Sequence, residues 1–121
     1  MARTISNEEV GAVYATFAAH GDLTASDLGK AVVLSDNNTV NTTSTETELL
    51  GKLVALDTEN DVATVQVAGF MEFDYTGSPG VNARVVTSGT AGKVTTPGVE
   101  YGQGVIVSVD TTATTLVVLL R

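Results

Sequence analysis

The sequence predicts a mainly β fold: a small sandwich or barrel of short strands built from two similar halves, preceded by a short N-terminal helix or extended arm. Three observations point there. A string Gly-x-x-Val-x-(Leu/Val)-Asp-Thr followed by a β-branched run occurs twice, at Gly51 to Val67 and at Gly104 to Leu120, with an offset of 53 residues. Short apolar runs rich in Val and Thr alternate with turn residues along most of the chain. Apolar residues make up 43% and charged residues 17%, with a mean hydropathy of +0.22, the balance of a folded domain.

Taken in order, residues 1–26 read as an N-terminal arm or helix. Ser6 and Glu9 have capping-box spacing, Val10, Val13, Tyr14 and Phe17 follow at helical spacing, and Gly21 offers a stop, so a helix is expected over 7–19. Val13, Ala15 and Phe17 also alternate, which keeps an extended arm as the competing form. Residues 27–121 read as one duplicated β domain with a single core, its repeats covering 28–67 and 81–120.

Residues 30–34 form the first strand of that domain, and Ser35 to Asn38 a turn of residues that tolerate left-handed backbone. Residues 40–47 are a weak edge strand or a loop. The hairpin 51–67 follows, then a strand with Phe70 on one face and Met71, Phe73 and Tyr75 on the other. Gly77-Ser-Pro-Gly80 marks the seam between the halves. Residues 83–87 repeat 30–34, residues 93–96 form a short strand, and a Gly-rich corner leads into the second hairpin.

The copies differ on one face. Thr64 and Gln66 of the first correspond to Val117 and Leu119 of the second. Alternation marks a solvent-facing strand, and a continuous apolar run marks one covered on both faces. The last strand is therefore expected to be covered twice, either within the chain or by another subunit.

The net charge of −8 and the lack of any Lys/Arg cluster argue against nucleic acid and anionic membrane as partners. There is no cysteine, no signal-peptide pattern at the N-terminus and no run long enough to span a bilayer, so a soluble chain made in the cytoplasm is expected. A single histidine, His20, excludes a His-based metal cluster and reads as a helix-end residue. Asp57, Glu59 and Asp61 have the spacing of a calcium loop, but Val62 and Ala68 stand where Gly and Glu are needed. The paired Asp57-Thr58 and Asp110-Thr111 invite comparison with an aspartic-protease dyad, yet Glu59 and Thr112 replace the glycine of that motif. No catalytic, cofactor or metal residue is assigned.

From Asp27 to Leu120 the chain resembles the small capsid decoration (cement, or head-stabilising) proteins of tailed bacteriophages. The passages are Leu28-Gly-Lys-Ala-Val-Val-Leu34, Leu50-Gly-Lys-Leu-Val-Ala-Leu-Asp57, Ala63-Thr-Val-Gln-Val-Ala-Gly69, Tyr75-Thr-Gly-Ser-Pro-Gly80, Gly92-Lys-Val94 and Val105 to Leu120. Their order is the specific part. The resemblance implies a virion structural protein without enzymatic activity or cofactor. Such a protein sits on the capsid exterior, usually as a homotrimer, clamping neighbouring major capsid proteins. On that basis Arg3, Thr4, Ile5, Val10, Val13, Tyr14 and Phe17 are expected to contact the capsid. Phe70, Met71, Phe73, Tyr75, Val117 and Leu119 are expected at the subunit interface. The alternative is a carbohydrate- or host-surface-binding module of a phage or bacterial appendage. It would need an aromatic groove, and the chain has three Tyr and three Phe but no Trp.

Overall fold

The computed structural model describes residues 10–97 and 102–121. The first element is a strand, β1 (Val13–Ala19), which corrects the expected helix over 7–19; residues 7–9 lie outside the described part. The apolar residues of this stretch satisfy both periodicities, and tertiary partners decide between them. Gly11 holds φ +70 just before the strand. β1 then runs antiparallel to β5 (Val62–Asp74) and meets β3 (Thr39–Asn41) in parallel, so it gains ladder bonds on two sides.

The remaining strands are β2 (Ala31–Asp36), β4 (Gly51–Asp57), β6 (Val86–Thr87), β7 (Val94–Thr95), β8 (Val105–Asp110) and β9 (Thr115–Leu120), with a 3-10 turn at Ala25–Asp27. In the main sheet they are ordered β1-β3-β2-β4-β5-β9-β8, and the extra β1–β5 pairing closes the first five into a ring. β1 is thus part of the first barrel, and a boundary at residue 26 does not describe it.

The second half builds the same ring. Residues 69–74 of β5 take the place of β1, pairing with β9 as β1 pairs with residues 62–68. Tyr75 bridges Val94 in parallel, as Ala19 pairs Val40. Val86 and Thr87 pair Thr95 and Val94, as Val33 and Leu34 pair Asn41 and Val40. Gly29 N–H donates to Leu53 O at 2.7 Å, and Asn82 N–H to Ile106 O at 2.8 Å. The chain is two small barrels threaded by one strand, and the halves meet inside β5 rather than at 77–80.

The repeated string now has physical content. Gly51 and Gly104 lie where two strands cross closely: a β-carbon on Gly51 would strike Gln66 O, and one on Gly104 would lie 2.6 Å from Leu119 O. The ladder of β4 slips between Leu53 and Ala55, and that of β8 between Ile106 and Ser108. Asp57 Oδ1 accepts the N–H groups of Glu59 and Asn60, and Asp110 Oδ1 those of Thr112 and Ala113, capping the two turns alike. Asp61 and Thr114 close those turns at φ 53 and 59.

Each barrel has its own core, where one was expected. Val32, Val40, Leu53, Ala63 and Val65 fill the first, and Val85, Val94, Ile106, Leu116 and Val118 stand at the equivalent positions of the second. Met71, Phe73 and Tyr75 enlarge the second core, which also takes in Ala31 and Leu49 from the first half. Gln103 ties the halves, accepting from Leu49 N–H at 2.8 Å through Oε1 and donating to Leu49 O at 2.6 Å through Nε2.

Candidate functional site

The outer face of the second barrel carries an apolar row. Phe70, Leu119 and Val105 are cross-strand neighbours in one row, and Glu72, Val117 and Ser108 form the next. Phe70, Val105, Val117 and Leu119 are half-buried. On the first barrel the matching rows are Tyr14, Gln66 and Lys52, then Thr16, Thr64 and Ala55. Of the residues expected at a subunit interface, Phe70, Val117 and Leu119 therefore share this face. Met71, Phe73 and Tyr75 do not: they point the other way and are buried in the second core, because side chains alternate along β5.

Val10, Val13 and Tyr14 of the expected capsid-contacting set are exposed, and Phe17 packs on the first core. Val10 adjoins the apolar face, its carbonyl accepting from Phe70 N–H at 3.1 Å. Arg3, Thr4 and Ile5 lie outside the described residues.

Gln66 was expected on a solvent-facing row, but only 1% of its surface is exposed. Its Nε2 donates to Ala68 O and Phe70 O, both at 3.1 Å, on either side of Gly69 at φ +98. β5 turns out of the first barrel there, and the turn covers the amide. The Gly at 69 inside a strand pattern was the signal available in the sequence.

A cleft of about 350 Å³ opens where the barrels meet, lined by Leu28, Lys30, Lys52, Glu72 and Asp74 among others. Lys30 Nζ lies 3.0 Å from Asp27 Oδ1. Burial alone would raise the Asp27 carboxyl, but the Thr24 N–H and Lys30 outweigh it and hold its pKa below the ordinary value. The cleft carries two ammonium groups and two carboxylates, with no histidine or nucleophile arranged for chemistry among its lining residues.

Asp57 and Asp110 serve their own turns. Asp57 Oδ2 also accepts from Asn60 Nδ2 at 2.8 Å, and that bond, with the backbone N–H of Asn60, lowers its pKa. His20 follows a strand instead of ending a helix, and its Nδ1 accepts from Asp22 N–H at 3.1 Å. Among the described residues no group of three or more His, Asp or Glu is placed to hold a metal, and no helix is long and apolar enough to cross a membrane. No protein-family model matches the chain, and no curated protein matches it.

Proposed function

We propose that this chain is a virion structural protein that binds the outer surface of a phage capsid and clamps neighbouring major capsid proteins, as a homotrimer without enzymatic activity. The observation that carries this reading is the ordered set of passages from Asp27 to Leu120 that resembles the decoration proteins. The fold gives several of their residues framework roles: close strand crossings at Gly51 and Gly104, turn caps at Asp57 and Asp110, and the turn of β5 at Gly69.

The surfaces suit such a role. The exposed Val10, Val13 and Tyr14 are assigned to the capsid protein, and the apolar row of Phe70, Val105 and Leu119 to a neighbouring subunit. A chain without disulfides gains stability by mass action when it binds its partners. The test is to mix purified protein with expanded heads lacking decoration and to pellet them. Saturable co-sedimentation with heads, absent with unassembled capsid protein, is the expected result. Protein left wholly in the supernatant overturns the proposal.

A further inference from the structure

The two barrels differ at one backbone position, and the difference opens into the cleft between them. In the first barrel β1 is closed by its parallel neighbour: Ala18 N–H donates to Asn38 O at 2.8 Å and His20 N–H to Val40 O at 3.0 Å. The second barrel keeps the later bond, from Thr76 N–H to Val94 O at 2.9 Å, but lacks the earlier one. Gly92 stands where Asn38 does, two residues before the bridging valine. Its carbonyl accepts instead from Ala31 N–H of the first barrel, at 3.0 Å.

Asp74 N–H, the counterpart of Ala18 N–H, is thereby left open. Backbone groups alternate along β5: Tyr75 N–H points to β9 and bonds Thr114 O, whereas Phe70 N–H points away from β9 and bonds Val10 O. Glu72 and Asp74 share the sense of Phe70, and among the described residues nothing accepts from Asp74 N–H. Both residues line the cleft of about 350 Å³, a volume within the roughly 300–1,000 Å³ of ligand pockets. Lys30 and Lys52 line it too. A β-carbon on Gly92 would lie 2.7 Å from Lys30 Cγ, so the Lys30 stem crosses directly over that turn, with 41% of its side chain exposed.

We infer that this cleft takes the carboxy-terminal residue of a partner polypeptide, laid parallel to β5 with its carboxylate on Asp74 N–H beside the Lys30 ammonium. Geometry selects a chain end. A segment entering in the sense of Asn38 meets Val94 at the next place along the edge, where Val94 already bridges Tyr75, so it has to stop. Charge selects which end, because a carboxylate accepts the open N–H and is favoured by neighbouring ammonium groups. The residue before it lies across from the exposed Glu72, where a Lys or Arg makes an opposite-charge cross-strand pair. The inference does not rest on capsid binding, so it is tested on the purified full chain alone.

A short peptide ending in Lys-Ala with a free carboxylate is titrated into the isotope-labelled protein and followed by NMR. A saturable shift of the Asp74 N–H resonance is expected, and the same peptide ending in a carboxamide is expected to bind about tenfold or more weakly. Glu72→Lys is expected to reverse the preference, so that a peptide ending in Glu-Ala binds more tightly than one ending in Lys-Ala. An Asp74 resonance that stays in place at millimolar peptide overturns the inference. So does a carboxamide peptide that binds as tightly as the acid, or a folded Glu72→Lys that keeps the wild-type preference. If Glu72→Lys does not fold, the comparison of acid and carboxamide on wild type decides.

Discussion

Gln66 and Phe70 are joined across Gly69 by a side-chain amide that donates 3.1 Å to the Phe70 carbonyl, and this bond fixes the point where one strand leaves the first barrel for the second. The equivalent of Gln66 in the second barrel is Leu119, which faces outward with no such turn to brace.

Replacing Gln66 by Leu keeps the size and removes both bonds, leaving the Ala68 and Phe70 carbonyls without this donor in a buried setting. The expected loss is about 1–3 kcal/mol, read from denaturant unfolding.

Gly69→Ala is expected to cost more than about 2 kcal/mol. A β-carbon there would stand 2.7 Å from Gly11 C and 2.8 Å from Gly11 O and Ala12 N, with φ at +98. Gly11→Ala meets only Gly69 Cα, at 3.8 Å, so its cost is the backbone cost alone, about 1 kcal/mol. Parallel thermal melts of the two variants check that ordering.

Local pattern made the hairpins legible. The Asp caps, turn residues and alternating apolar positions of 51–67 and 104–120 are short-range features, and the structure keeps them. β1 was not decided by its residues, since Val13 and Phe17 fit helix and strand alike and only β3 and β5 choose between them. Its place in the repeat was hidden for a related reason: Phe17 matches Phe73 at an offset of 56 rather than 53, so the alignment breaks there. Gln66 misled because polarity usually means solvent, and its burial depends on a turn of the backbone three residues on. Of the candidate surface, Phe70, Val117 and Leu119 were legible, and Val105 joined them only once its pairing with Leu119 was seen.

Thr114 sits at φ 59, where a β-branched side chain is strained, while Asp61 fills the same position of the first hairpin. Thr114→Asn is expected to stabilise the protein by about 0.5–1 kcal/mol. A rise in the unfolding midpoint checks it.

The Asp27 carboxyl is held below its ordinary pKa, so its contribution to stability is fully present above the unfolded value of about 3.9 and is lost as pH falls through the lower folded value. Asp27→Asn is therefore expected to lower stability at neutral pH and to flatten its fall on acidification. Unfolding midpoints measured from neutral to strongly acidic pH give both slopes.

Capsid decoration is tested most directly by imaging expanded heads before and after incubation with the protein. Added density is expected on the outer surface at threefold and quasi-threefold positions, into which three double-barrel chains fit, each bridging neighbouring capsid proteins. Heads that bear no added density at saturating protein would contradict it.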